Sequence, residues 1–205
     1  MNLIIFGPPG AGKGTQADFI VNKYDLYKLS TGEVLRNEIK NKTELGKEIS
    51  SIINSGSLVS DDIVKKLVEV FISNKKYKNR LIFDGYPRNL NQAKTLKELL
   101  SKYGKKIDLV LKLSVSLETI TKRILERRTL EKRADDSEEI AIKRYKTYEK
   151  LTEPVIEYYK RLNLLKVIDG ERSIDQINKE ISDIISLIYR VDFKYLGNIN
   201  THLEL

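Results

Sequence analysis

Near its start the chain carries Gly7-Pro8-Pro9-Gly10-Ala11-Gly12-Lys13-Gly14-Thr15, set between a short apolar run, Leu3–Phe6, and a helix-like segment. The spacing G-x-x-x-x-G-K lets backbone N–H groups cup a polyphosphate while one lysine reaches its outer oxygens. Glycine is required because only a residue without a Cβ lets the backbone curl this tightly against an anion. The helix that follows aims its unpaired N–H groups and positive dipole end at the same charge. Gly10, Ala11, Gly12, Lys13, Gly14 and Thr15 are therefore candidate triphosphate ligands. Gly14 stands where many such loops carry a hydroxyl for Mg²⁺, with Thr15 one place later. The metal is thus expected to be held mainly by phosphate oxygens, water and a carboxylate from elsewhere.

A strand–loop–helix unit of this kind demands a parallel sheet around it. Five apolar runs predict strands at Leu3–Phe6, Tyr27–Ser30, Leu81–Asp84, Leu109–Ser114 and Lys166–Asp169. Helical patterns separate them, which is the βαβ alternation of an α/β fold with helices on both sheet faces. Ser60 can cap a helix whose apolar face is Val64, Leu67, Val68, Phe71 and Ile72. The last helix shows one stripe of Ile174, Ile177, Ile181, Ile184, Ile185 and Ile188, with Ser173 and Gln176 as a capping box. Pro154 is expected to split the helical pattern from about 137 to 162 in two, with Thr152 capping the second helix. Residues 30–71 and 127–136 break the rhythm and read as covering elements outside the core. The tail, residues 191–205, shows no clear period.

At 205 residues the chain suits one well-packed domain. It has no cysteine, which excludes disulfides, thiolate zinc sites and cysteine nucleophiles. The one histidine, His202, lies beside the C-terminus, so histidine base chemistry is not expected. Catalysis must then rest on positioning and electrostatics, as phosphoryl transfer can. The N-terminus runs straight into a strand, with no basic region or long apolar span, and the expected location is the cytoplasm, away from membranes. The net charge of +8 raises a nucleic-acid reading. Most basic residues alternate with acidic ones along helices, however, and the excess charge also speeds capture of anionic small molecules.

Leu81-Ile82-Phe83-Asp84-Gly85-Tyr86-Pro87-Arg88 reads as a buried strand ending in a carboxylate, a glycine and an arginine. Ligands of open α/β sheets lie beyond the carboxyl ends of the strands. If this strand neighbours the first, Asp84 can orient the water shell of Mg²⁺ and Arg88 can grip a phosphate in a bidentate fork.

Together with GPPGAGKGTQA, LSTGEVLR at 29–36, GSLV at 56–59 and FDGYPRNLNQA at 83–93, these residues resemble the nucleoside monophosphate kinases, most closely their adenylate kinase branch. The likeness continues through Arg127-Arg128, Arg133-Ala134-Asp135-Asp136 and Val167-Ile168-Asp169-Gly170, in the family's order, and covers residues 1 to about 190. The resemblance implies a P-loop NTPase-type three-layer α/β fold with a five-stranded parallel sheet. It implies a kinase domain over 1–190, made of a core (1–29, 73–123, 137–190), a monophosphate-binding segment (30–72) and a lid (124–136), followed by the 191–205 tail. It also implies transfer of a phosphoryl group from ATP to a nucleoside monophosphate with Mg²⁺, no zinc, and a monomer whose partners are ATP, AMP and ADP. By matching position, Lys13 would bind ATP phosphates, and Arg123 and Arg127 would serve ATP. Thr31, Arg36 and Arg88 would hold the monophosphate, with Gly85, Val59 and Gln92 near its base. Arg133 and Arg144 would complete the ring around the transferred group, Asp84 would serve the metal shell, and Asp135 and Asp136 would engage on closure. The Tyr86–Pro87 bond is expected to be cis.

The physics supports the arginines independently. Two anionic nucleotides repel until fixed, permanent cations neutralise them. Arg123 and Arg127, four apart, project from one helix face, with Arg144 on the next helix. Only five residues separate Arg127 from Arg133, which resembles the short-lid members. The Gln92 amide offers one donor and one acceptor group, matching the N1/N6 edge of adenine. Pyrimidine-specific relatives carry Asn there and Ala in place of Thr31, so both residues favour AMP over the alternative, UMP or CMP.

Overall fold

The structure is a computed structural model that describes residues 1–131 and 136–199, with side chains described through 130 and from 136 to 188. Contacts group the chain into two units, Met1–Glu171 and a second beginning at Arg172.

The first unit is built on five parallel strands, β1 (Asn2–Phe6), β2 (Tyr27–Ser30), β3 (Leu81–Asp84), β4 (Leu109–Ser114) and β5 (Leu165–Asp169). Their order across the sheet is β2-β3-β1-β4-β5. Each of the five expected strands is present, two of them one residue longer at the start. Asn2 escapes a hydrophobicity reading because it is polar, yet it is buried with its needs met. Its Nδ2 donates to the Lys106 carbonyl at 2.7 Å and its Oδ1 accepts from the Leu81 N–H at 3.2 Å.

Strand residues of both parities are buried, Ile4 and Phe6 as well as Leu3 and Ile5, so both faces of β1 are covered. On one face Ile4, Phe6, Phe83 and Val110 join a core with helices α4 (Asp61–Ser73), α5 (Leu90–Lys102) and α7 (Glu138–Arg161). Helix α1 (Lys13–Tyr24) contacts β1, β2 and β3. The connection from β1 runs toward β2, whereas that from β3 runs the other way toward β4. Right-handed crossovers in opposite directions send their helices to opposite faces and open a crevice at the carboxyl ends of the two strands. The pairing Ile5↔Asp84 puts the glycine-rich loop and the Asp84 turn at that crevice.

Three helices interrupt the βα rhythm between β2 and β3: α2 (Thr31–Lys40), α3 (Glu44–Asn54) and α4. Helices α2 and α3 meet so closely at Gly46 that a Cβ there would lie 2.1 Å from the Glu38 carbonyl oxygen. Thr43 caps α3, accepting from the Gly46 N–H at 3.0 Å. Ser60 occupies the N-cap of α4 but makes no side-chain cap bond. Helix α6 (Leu117–Glu131) follows β4.

Two expectations are corrected. Pro154 does not divide the pattern: α7 is one helix with the proline inside it. The interior proline costs about 3 kcal/mol, and burial of Val155, Ile156 and Tyr159 just beyond it, about 1.5–3 kcal/mol each, offsets that. Thr152 is no cap, and its hydroxyl donates to the Arg88 carbonyl at 3.0 Å. The tail is the second correction, because helix α8 (Ile174–Ile199) carries on past 191.

The described residues of the second unit are that helix and its entry. Ser173 and Gln176 form the capping box, the Gln176 N–H donating to Ser173 Oγ at 3.3 Å and the Ser173 N–H to Gln176 Oε1 at 3.2 Å. Ile177, Ile181 and Ile185 are buried along one stripe, and Ile174 at its start is exposed.

Candidate active site

The loop after β1 takes the shape its glycines permit. Gly10 and Gly12 have φ of 83° and 88°, a region that side chains with a Cβ rarely enter. Gly12 is also the N-cap of α1, so the helix begins at the loop. A Cβ on Gly10 would press within 3.0 Å of Ile124 on α6, whereas one on Gly12 or Gly14 would meet nothing within 4 Å. The loop at Gly12 and Gly14 thus borders open space at the positive end of a helix, which suits phosphate.

Lys13 Nζ donates to the Pro8 carbonyl at 3.0 Å, folding back over the loop. Its pKa is lowered to about 8, chiefly by burial, with Asp84 opposing and the Arg88, Arg144 and Arg127 charges acting in the same direction as burial. The ammonium is poorly solvated and crowded by like charge, so an incoming anion would relieve it.

Two cavities adjoin at this point. One is lined by Lys13, Gly14, Thr15, Asp84, Arg123 and Arg127. The other carries an apolar wall including Leu35, Ile53, Val59 and Val64, and reaches Thr31, Gly85 and Gln92. Lys13, Arg36, Arg88 and Arg144 line both. A ring of four cations therefore stands where two anions entering from opposite sides would meet.

The turn after β3 organises this ring. The Tyr86–Pro87 bond is cis, and Gly85 has φ of 75°. The Gly85 carbonyl accepts from Thr31 Oγ1 at 2.9 Å and Arg88 Nε at 2.7 Å. A Cβ on Gly85 would lie 3.0 Å from an Arg88 terminal nitrogen and 3.2 Å from Thr31 Oγ1, so the close approach requires glycine. Arg88 is held at its backbone as well, its N–H donating to Gln92 Oε1 at 2.7 Å.

On the other side, Arg123 donates to the Gly170 carbonyl at 3.0 Å. Arg127 makes a two-pronged contact with Asp136, at 2.7 and 2.5 Å, and Arg144 approaches the same carboxylate at 3.7 Å. Asp136 is wholly buried, so α6 and α7 are tied at the ring by a sequestered carboxylate. Arg133 and Asp135 lie outside the described residues. Reading the sequence missed Ser30, which donates to Asp84 Oδ2 at 3.2 Å and stands in register with it. A hydroxyl at a strand end just before Thr31 was the available signal.

The donor set fits Mg²⁺ carried in by ATP. Asp84 is a nearly buried carboxylate in the cavity of Lys13 and Thr15. Among the described residues no group of three or more His, Cys, Asp or Glu side chains could cage a metal. One carboxylate with water and substrate phosphates is the usual way Mg²⁺ is held.

Fold and site together define a P-loop phosphotransferase acting on nucleotides. The family model for adenylate kinase matches residues 5–164. The chain belongs to the adenylate kinase family, whose reaction is reversible phosphoryl transfer from ATP to AMP, giving two ADP. An adenylate kinase of Pelagibacter ubique is 43% identical over 213 residues, covering 91% of this chain and 100% of the relative. One from Fusobacterium nucleatum is 42% identical, covering 90% and 98%. A third, from Azobacteroides pseudotrichonymphae, is 42% identical over 194 residues, covering 93% and 100%. Among the described residues no helix is long and apolar enough to cross a membrane.

Proposed function

We propose that ATP occupies the cavity at the glycine-rich loop and AMP the apolar-walled cavity beside it, and that the γ-phosphoryl passes directly between them. The observation that carries this is the ring of Lys13, Arg36, Arg88 and Arg144 shared by the two cavities. An AMP phosphate oxygen attacks the γ-phosphorus in line. As that P–O bond forms, the bond to the β–γ bridging oxygen breaks and its electron pair leaves with ADP. No protein nucleophile is needed; the chain supplies alignment and charge stabilisation.

Gly10, Ala11, Gly12, Gly14 and Thr15 cradle the ATP phosphates, and Lys13 reaches the outer ones. Arg88 and Arg36 hold the AMP phosphate, while Arg123, Arg127 and Arg144 gather around the moving group, and Arg133 is assigned the same role from its place in the sequence alone. Thr31, Val59, Gly85 and Gln92 line the nucleoside. Mg²⁺ bound with ATP would be held through water by Asp84, and would supply charge neutralisation to the phosphates. Residues 30–72 and 124–136 act as the segments that cover the two substrates and exclude water. The five-residue spacing between Arg127 and Arg133 supports a short lid. The reading takes the enzyme to be a cytoplasmic monomer whose partners are ATP, ADP and AMP.

The test is a coupled assay of ADP formation from ATP and a panel of AMP, UMP and CMP. Turnover is expected with AMP well ahead of either pyrimidine. A preference for UMP or CMP would overturn the assignment of the base cavity. RNA binding at physiological salt without kinase activity would overturn the whole reading.

A further inference from the structure

A glutamine amide is nearly symmetric in shape but opposite in chemistry at its two ends. Turned one way it matches the adenine edge, with Oε1 accepting from N6–H and Nε2 donating to N1. Turned the other way, for a base held in one pose, it matches a 6-keto purine, whose O6 accepts and whose N1–H donates. Something outside the amide must decide which way it stands.

In this chain both ends are held. Gln92 is buried and lines the apolar-walled cavity. Its Oε1 accepts from the Arg88 backbone N–H at 2.7 Å, and its Nε2 donates to Asp61 Oδ1 at 2.7 Å. A backbone N–H can only donate and a carboxylate can only accept, so the two partners admit one orientation. The reversed amide would set donor against donor at Arg88 and acceptor against acceptor at Asp61. One N–H and one oxygen lone pair of the amide remain for the base.

Asp61 does not line the cavity, and it is itself held in place. It opens helix α4, where a carboxylate is favoured by the helix dipole. Asn89 Nδ2 donates to its two oxygens at 3.0 and 3.2 Å. Asn89 in turn caps α5, accepting from the Gln92 N–H at 2.8 Å. The loop closes on itself through Asp61, Asn89 and Gln92.

We propose that Asp61 is a positioning residue for base selection: it fixes the orientation of the Gln92 amide and so makes the monophosphate site read a 6-amino purine and reject a 6-keto purine. The inference rests on the reading of this cavity as the monophosphate site. A site that hydrogen-bonds its substrate rejects the mismatched analogue strongly, because buried polar groups would be left unpaired. Loss of Asp61 removes half of what resists the flip.

The experiment compares kcat/KM for AMP and for inosine monophosphate in the wild type, Asp61→Ala, Asp61→Asn and Asp61→Glu. An asparagine amide can pair with either orientation of Gln92, and it keeps the size of the side chain should alanine disturb folding. The AMP-to-inosine monophosphate ratio should fall about tenfold or more in the alanine and asparagine variants. Asp61→Glu keeps an acceptor-only carboxylate and should hold the ratio closer to that of the wild type than either of them. An equal loss on both substrates would show a purely structural role and overturn the proposal, as would an unchanged ratio. A wild type that phosphorylates neither monophosphate would instead overturn the assignment of the cavity, and the inference with it.

Discussion

Asp136 is completely buried and grips Arg127 through both Nε and a terminal nitrogen, at 2.7 and 2.5 Å, while Arg144 stands 3.7 Å from one of its oxygens. One carboxylate therefore holds a guanidinium from α6 and another from α7 at the edge of the cation ring. Removing it takes away the carboxylate that two cations of low exposure share, and breaking a buried pair costs about 3–5 kcal/mol. Asp136→Asn should lower unfolding free energy by about 3 kcal/mol in a denaturant titration, and slow turnover as well. A variant of native stability would show that the two arginines do not depend on this partner.

Lys13 links function to pH. Burial lowers its pKa to about 8, with Arg88, Arg144 and Arg127 pushing the same way. The free site therefore loses its proton as pH rises through about 8, whereas a bound polyphosphate favours the charged form and raises the pKa. Binding of an ATP analogue just above that pH should take up a proton, seen by calorimetry in buffers of different ionisation enthalpy. Lys13→Met should abolish the uptake. The sign for folding is opposite to the usual benefit of a charged group: an ammonium with a lowered pKa costs stability at neutral pH, and that cost fades as pH climbs through 8 toward the ordinary lysine range. Lys13→Met should thus melt at higher temperature than the wild type without ligand, while turnover falls by roughly 10²-fold or more.

Gly85 is predicted to be intolerant of any side chain. Its φ of 75° costs an L-residue about 1–2 kcal/mol, and its Cβ would crowd both Arg88 and Thr31. Gly85→Ala should raise KM for AMP by about tenfold, taking 1.4 kcal/mol per decade, and affect KM for ATP much less. Equal effects on both would place the turn elsewhere in the mechanism.

The sheet was legible because its strands are continuous apolar runs, and the loop and Asp84 turn because glycine, lysine and arginine stand at fixed offsets. Neighbouring β1 and β3 turned two separate motifs into one crevice, through Ile5↔Asp84. What local pattern could not show is set by tertiary partners. Pro154 stays inside α7 because residues on its far side are buried, and Thr152 spends its hydroxyl on Arg88 rather than on a helix end. Asp61 reads in sequence as an ordinary acidic start to a helix, and only the fold brings it 2.7 Å from Gln92, which lies 31 residues away. Asn2 was passed over because a buried polar side chain looks like a strand end until its bonds are seen.

Replacing one cation of the shared ring should injure transfer more than binding of either nucleotide alone. Arg88→Ala is expected to lower kcat by roughly 10²-fold or more, with the melting temperature little changed. Near-normal turnover would remove Arg88 from the reacting centre.

The most direct measurement is calorimetric titration of AMP into protein already saturated with a non-hydrolysable ATP analogue. Adjoining cavities joined by Lys13, Arg36, Arg88 and Arg144 predict that one AMP binds to the occupied enzyme, giving a ternary complex of one molecule of each nucleotide. If the analogue instead competes with AMP, so that either nucleotide excludes the other, direct transfer between two bound substrates is contradicted.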